Sequence, residues 1–376
     1  MPASSGFKLT YSTMFNPPPQ LHARFDAALA DFRRDGMGRD HAQWIGGVSV
    51  GGARHFEVRS PIDQDWLIGR FVEASAQDVD RAVQTARAAY PAWAATPWRD
   101  RVALLRRAAR LIEERVYAIS AAVALEVGKN RMESIGEVQE TADLIDWYCD
   151  QMEANEGFDR ALPDDPLPHF RSHNRTVLRP YGVWAVIAPF NFPCALAGGP
   201  LGPALIAGNT AVFKVSPETS LSGRLLLDVL HDAGLPAGVI NFVTGGDATG
   251  RALVEHPGVA GITFTGSQAV GLQVLRQSVQ GRHPRPCIVE MGGKNATIVS
   301  RHADLERAAL GIVRSAFGLS GQKCSACSRV YVERPVADAL RERLARLAGE
   351  LSVGDPTQQA HWMGPVIGRG AYERYA

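Results

Sequence analysis

Five short apolar runs between Val183 and Glu290 constrain this chain more than any other feature. They read VWAVIA, TAVFK, VINFV, GITF and CIVE, and helical stretches such as Leu221 to Ala233 and Gln268 to Val279 separate them. Runs of this length between helices are the mark of parallel strands covered on both faces. The predicted fold class is therefore α/β with a parallel sheet. In such sheets ligands sit at the carboxyl ends of the strands. That edge collects the unusual residues: Asn191 follows the first run, Lys214 ends the second, Gly266 and Ser267 follow the fourth, and Glu290 ends the fifth. One polar residue at a strand end is commonly a solvated cap, but four in succession point to a site.

The preceding half reads differently. Residues 1 to about 45 read as an irregular arm, because NPPPQ at Asn16 to Gln20 cannot continue a helix. VSVGGARHFEVRSP alternates into short strands broken by glycines. From Ala76 the pattern turns helical, with Asp78 early and Val79, Ala82, Val83 and Ala86 on one face. One long helix is expected over Arg99 to Val127, stopping at Gly128, and a third over roughly Met132 to Met152. These alanine-rich helices with charged faces read as packing elements.

Charge excludes several classes of function. Forty basic residues against thirty-nine acidic ones leave a formal charge of +1, spread rather than blocked, so neither a nucleic-acid nor a membrane partner is expected. No apolar run reaches the ~18 residues of a membrane helix. The start, MPASSGFKLTYSTMF, has no apolar core and does not read as a secretory signal. Five scattered cysteines make no disulfide framework, and a reducing, cytoplasmic compartment is the expectation.

The stretch SAFGLSGQKCSACSRVYVE sets Lys323 against Cys324, with Cys327 following in C-x-x-C spacing. The pair could be a metal half-site, a redox couple, or one nucleophile beside a bystander. Zinc is the poorer reading, since no second C-x-x-C or paired histidine supplies the remaining ligands. A thiol of ordinary pKa, roughly 8.5, is mostly protonated at neutral pH, and a neighbouring cation raises the thiolate fraction. Asn191, on a proline-bounded loop, is either a turn cap or a donor to a developing oxyanion. Glu290 opens EMGGKN and is either an ordinary strand-end acid or a general base on water. Together the three describe acyl chemistry through a thioester. FTGSQAVGLQVL and NFVTGGDATG add glycine turns between strand and helix, where amides can meet a phosphate.

In their order, APFNFP, GNTAVFKVSPETSL, AGLPAGVINFVTG, ITFTGS, EMGGKN, GQKCSACSR and VGDPT...MGPVI resemble the NAD(P)-dependent aldehyde dehydrogenase superfamily from about Ile45 to the end. SAFGLSGQKCSACSRVYV and EVGKNR look most like the 1-pyrroline-5-carboxylate dehydrogenases, which oxidise L-glutamate γ-semialdehyde. The resemblance implies a Rossmann-type parallel-sheet cofactor domain over 46–290 after the arm of 1–45, then an α/β catalytic domain over 291–376. It makes Cys324 the nucleophile, Cys327 the bystander, Glu290 the general base and Asn191 the oxyanion donor. It implies cofactor contacts from Ala188, Pro189, Phe190, Lys214, Ser216, Gly246, Gly250, Gly266, Ser267 and Gly271, and substrate contacts from Lys323 and Ser325. Many NAD-preferring relatives carry glutamate three residues after Lys214. Here Pro217 stands there with Glu218 next, so NAD is expected and NADP stays open. The family continues beyond GPVIGRGAYERYA with an E-x-F-G-P segment, a substrate-anchoring loop and an oligomerisation flap, so a C-terminally truncated relative is expected. Three readings follow: a dehydrogenase for glutamate semialdehyde in proline catabolism, one for another aldehyde, or a cofactor-binding fragment without turnover. The family also implies a homo-oligomer.

Overall fold

The computed structural model describes residue 13 and residues 17–376. The segment expected to be irregular holds a helix, α1 (Pro19–Asp35), which Pro18 caps and Pro19 opens. Proline is tolerated in a first turn, where its missing N–H would have no partner in any case. The start of NPPPQ, Asn16, lies outside the described residues. Leu21, Phe25 and Leu29 recur at helical spacing and are buried, joining a core with Val58, Ile68, Phe71 and Leu125. Short strands follow: β1 (Arg39–His41), β2 (Gln43–Ile45), β3 (Val48–Val50), β4 (His55–Arg59) and β5 (Leu67–Val72). The expected boundary at residue 45 therefore falls inside the β2–β3 hairpin.

Helix α2 (Ala76–Ala95) starts at a capping box made by Ser75 and Asp78, and Val79, Ala82, Val83 and Ala86 are wholly buried. The single long helix expected next is two, α3 (Trp98–Glu114) and α4 (Val116–Val127), separated by Arg115 in a non-helical conformation. The physical reason is burial. Helix α3 has one apolar face, whereas α4 is buried on all sides from Ile119 to Val127, so the chain must turn to enter the core. Gly128, at φ 77°, ends α4 in the left-handed region. Asn130 then caps α5 (Arg131–Ala154) through its side chain. A two-stranded antiparallel ribbon, β6 (Asp159–Ala161) with β7 (Arg175–Val177), precedes the main sheet.

The five apolar runs form five parallel strands, alternating with helices: β8 (Val183–Ile187), α6 (Ala195–Ile206), β9 (Thr210–Lys214), α7 (Ser220–Asp232), β10 (Ile240–Phe242), α8 (Asp247–Glu255), β11 (Gly261–Thr265), α9 (Gln268–Ser278) and β12 (Cys287–Glu290). The seven-stranded sheet has the order β12-β11-β8-β9-β10-β2-β3, with β2 and β3 added antiparallel at one edge. Strand β8 has β9 on one side and β11 on the other, so the winding reverses there. A reversal of this kind opens a crevice at the strand ends. After β12 come β13 (Asn295–Val299), α10 (Leu305–Phe317), β14 (Cys327–Val332), α11 (Ala337–Gly349) and α12 (Arg369–Tyr375), with β13 and β14 forming a separate parallel pair. No helix among the described residues is long and apolar enough to cross a membrane.

Candidate active site

The crevice beside the β8 reversal holds a cavity of about 430 Å³, lined among others by Ile187, Lys214, Gly246, Gly250, Phe264 and Val270. Lys214 ends β9 and is 5% exposed. Its Nζ donates to the Val215 carbonyl at 3.0 Å, and burial pushes its pKa down to about 8 against the pull of Glu218 and Asp247. A methyl group added at Gly246 would meet open space, and one at Gly250 would lie 3.7 Å from Lys214. Gly246 also stands at the N-cap of α8, so unbonded amides of a helix start lie beside this cavity. Ser216 donates its hydroxyl to Glu218, which places an exposed carboxylate near Lys214. A carboxylate there suits ribose hydroxyls. The donor set and the glycine cradle fit a dinucleotide.

The other residues expected to contact a cofactor are more mixed. Ala188 ties the loop after β8 to the end of β9: its N–H donates to the Lys214 carbonyl at 2.9 Å and its carbonyl accepts from Ser216 at 3.0 Å. That pair holds Pro189 and Phe190, both half-buried, at the sheet edge. The Gly266 N–H donates to the Glu290 carbonyl at 3.0 Å, and the Ser267 hydroxyl caps α9 by accepting from Val270 at 3.4 Å. Gly271 faces Met291: a methyl group there would fall 2.8 Å from its Cγ and Sδ. This glycine lets α9 lie against the EMGG turn, and its open side does not face the cavity.

The loop carrying Cys324 is drawn together from four directions. Leu319 and Ser320 both have positive φ, 48° and 55°, which non-glycine residues adopt only when their surroundings hold them. Leu319 N–H donates to Glu133 at 3.2 Å and the Ser320 hydroxyl to the Gly364 carbonyl at 2.7 Å. Asn191 Nδ2 donates to the Gln322 carbonyl at 2.8 Å, and Asn295 Nδ2 donates to the Cys324 carbonyl at 2.6 Å. Gly293 must be glycine, because a methyl group there would stand 2.6 Å from the Cys324 carbonyl oxygen. The Asn191 side chain and the turn that follows Glu290 thus both meet the backbone of the loop that carries Cys324. Asn191 Oδ1 is buried without a partner, an uncommon state for a structural amide.

The two thiols differ sharply. Cys324 is exposed, whereas Cys327 is the first residue of β14 and is buried, with its thiol donating to the Arg329 carbonyl at 3.3 Å and the Thr297 hydroxyl 3.2 Å away. Both are free thiols, and no metal-binding group of three or more His, Cys, Asp or Glu is found among the described residues. Glu290 is exposed at the end of the edge strand β12.

A second cavity, of about 820 Å³, takes Lys323 and Ser325 into its wall with Phe192, Glu133, Arg131 and Arg307. Lys323 does not point to solvent: it pairs with Glu133, and its Nζ lies 5.7 Å from the centroid of Phe192. Sequence reasoning missed Lys129, Glu133 and Glu137. Their four-residue spacing in a charged, helical pattern reads as a solvated face, yet Lys129 and Glu137 are wholly buried and ion-paired. Buried carboxylates also cap helices here. Glu126 accepts from Leu221 and Ser222 N–H groups at the start of α7, with burial pushing its pKa up to about 7.

Residues 48–376 match the family described as the aldehyde dehydrogenase family. A 1-pyrroline-5-carboxylate dehydrogenase of Geobacillus thermodenitrificans is 38% identical over 356 residues, 93% of this chain and 68% of that protein. The crystal structure of a 1-pyrroline-5-carboxylate dehydrogenase from Thermus with bound NAD superposes at a TM-score of 0.90 and 31% identity, covering 99% of this chain and 72% of that one. An NADP-dependent glyceraldehyde-3-phosphate dehydrogenase from Bacillus halodurans, complexed with NADP, gives 0.82 at 35% identity over 89% of this chain and 70% of that one.

Proposed function

The chain belongs to the aldehyde dehydrogenase family, and on that premise we propose that it oxidises L-glutamate γ-semialdehyde to glutamate through a thioester on Cys324, with NAD as the preferred cofactor. The contrast between the exposed Cys324 and the buried, hydrogen-bonded Cys327 carries this reading. In it, residues 46–290 hold the cofactor and 291–376 carry the nucleophile. Lys214, Ser216, Gly246, Gly250 and Ser267 would hold the dinucleotide, with Ala188, Pro189, Phe190, Gly266 and Gly271 shaping the edge around it. Glu218 beside Ser216 favours free ribose hydroxyls over a 2′-phosphate, by charge repulsion. When bound, the nicotinamide supplies the hydride acceptor.

The residues of the chain do the rest. The Cys324 thiolate adds to the aldehyde carbon, a C–S bond forms, and the carbonyl π pair moves onto oxygen. One N–H of the Asn191 amide is committed to Gln322, which leaves its second hydrogen and the Cys324 N–H for that oxyanion. Glu290 takes a proton from the water that adds to the acyl carbon, and the C–S bond breaks to return the thiolate. Lys323 and Ser325 hold the substrate carboxylate away from the reacting carbon.

Glu290→Gln tests the assignment. A burst of reduced cofactor followed by little turnover is expected, because the base acts after hydride transfer; loss of the burst itself would move Glu290 to an earlier step. The open face of β13 and β14 favours a second reading, cofactor binding without turnover. That reading stands if unaltered chain binds NAD but yields no reduced cofactor with glutamate semialdehyde or propanal.

A further inference from the structure

We propose that Lys129 and Glu137 are positioning residues for the loop that carries Asn191, and that the ring of Phe192 links this loop to the nucleophile. The inference rests on the reading of Cys324 as nucleophile and Asn191 as oxyanion donor. Lys129 and Glu137 pair with no solvent exposure on either side chain. A buried pair of this kind adds little net stability over apolar residues of the same size, so its presence invites a role other than stability. The geometry supplies one. Glu137 Oε1 accepts the N–H groups of Cys194 at 2.9 Å and Ala195 at 3.4 Å, which fixes where α6 begins, directly after Asn191-Phe192-Pro193. Lys129 Nζ sits 3.5 Å from the centroid of Phe192, the residue next to Asn191. Lys323, the neighbour of Cys324, meets the same ring at 5.7 Å. One aromatic ring is thus within reach of two ammonium groups, one anchored deep in the core and the other on the loop that carries Cys324. Cation–π contacts are strongest when desolvated, as for Lys129. The pair holds the loop at two points just after Asn191: Lys129 at the Phe192 ring and Glu137 at the helix start.

The test needs no turnover. An aldehyde adding reversibly to the Cys324 thiolate forms a C–S bond and an alkoxide that water protonates, and this adduct shields the thiol from iodoacetamide. The aldehyde concentration that halves alkylation of Cys324, followed by mass spectrometry with propanal as probe, therefore reports the oxyanion donor. In the double variant Lys129→Met/Glu137→Gln both charges go together, which avoids stranding one of them. We expect a melting temperature near that of the unaltered chain and an alkylation rate without aldehyde within about twofold. The half-protecting concentration should rise about tenfold or more, since a small misplacement of a catalytic group has effects of that size or larger. Asn191→Ala should give a rise of the same kind, and adding it to the double variant should raise the value little further, as for groups acting as one unit. A folded double variant with unchanged protection overturns the proposal and leaves the pair purely structural. If the double variant does not fold, Phe192→Leu leaves the pair in place and removes the ring: the same rise is expected, and its absence is equally fatal. No aldehyde protection of Cys324 in the unaltered chain would overturn the nucleophile assignment itself, and the pair's role with it.

Discussion

Two parallel arrangements in this molecule differ in how they are covered. In the seven-stranded sheet, β9 and β11 are buried at every residue; α6 and α7 pack on it around Phe213, Phe242 and Leu227, and α2 buries Val79, Ala82, Val83 and Ala86 against it with Val212 and Ile262. The β13–β14 pair has a small core of Val299, Ala309, Ile312, Cys327 and Leu340, with residues such as Val330, Val332 and Leu344 half-buried against it, and it leaves Ile298 82% and Tyr331 56% exposed. Parallel strands are ordinarily buried on both faces, and two of them with one face open give little independent stability. The lesson is a division of labour. The part that would hold the cofactor is a finished core, and the part that carries Cys324 borrows its order from contacts such as Asn191 with Gln322 and Glu133 with Lys323. Such a region belongs to the low-stability end of the molecule.

The largest effect should separate the two cysteines within the thin part. Cys324→Ala is expected to abolish trapping of an aldehyde and its oxidation, a loss of 10³ or more for a nucleophile. Cys327→Ala should leave both measurable and instead lower stability by about 1 kcal/mol, through the small core it helps to fill. Acyl label recovered on Cys327 would reverse the two assignments.

Next in size is the contrast between the cores. Phe213 is wholly buried, with its ring tilted against that of Phe242 at 5.1 Å between centroids, so Phe213→Ala should cost about 3–5 kcal/mol in urea unfolding. Ile298→Ala, at an exposed position, should change stability by less than about 0.5 kcal/mol. Amides of β13 and β14 should exchange hydrogen well before those of β8 and β9. Equal protection in the two regions would mean that the open face is covered in solution, for example by self-association.

What the sequence disclosed follows the same division. The five parallel strands were legible because double-sided burial demands uninterrupted apolar runs, and the turn of Gly246 and Gly250, which lines the cavity, because its glycines fall where a strand gives way to a helix. Helix α1 was not legible, since Pro17 to Pro19 stop a helix in mid-course but can also begin one. Nor was the turn at Arg115, because the apolar period runs on through it while the burial changes from one face to all. Lys129, Glu126 and Glu137 look like surface charges in a helical pattern. Their partners, Phe192, Ser222 and the Cys194 amide, lie far off along the chain. The pair of Lys323 with Glu133 spans 190 residues, beyond any local pattern.

That pair sets the third expectation. Lys323→Met should raise the concentration of glutamate semialdehyde needed to half-protect Cys324 by roughly tenfold, since a charge-assisted hydrogen bond contributes about 1.5–3 kcal/mol. Propanal, without a carboxylate, should shift by less than about twofold. The change also strips Glu133 of its cation, although the Asn130 side chain and the Leu319 amide still donate to its other oxygen. Lys323→Met/Glu133→Gln separates the two effects: recovery there would mean that a stranded Glu133 repelled the substrate. Equal shifts for both aldehydes would show that Lys323 acts on the nucleophile and does not recognise the carboxylate.

The smallest expected effect on binding lies at the finished end, in Lys214. Burial lowers its pKa from 10.5 to about 8, so between those values the unfolded chain binds more protons than the folded one. Stability should therefore rise with pH across about 8 to 10.5, by at most about 3 kcal/mol from this group. Affinity for NAD should move the other way, because the ammonium is the stronger donor to ribose hydroxyls and is lost as pH rises through about 8. A fall in affinity of several-fold between pH 7 and pH 9, measured by fluorescence titration, is the expected result. Lys214→Met should flatten both slopes and raise stability near pH 7, where the buried charge is most costly. If the variant keeps the unaltered chain's pH dependence of binding, Lys214 does not touch the cofactor, and the dinucleotide must be held by the glycine turns and the helix starts alone.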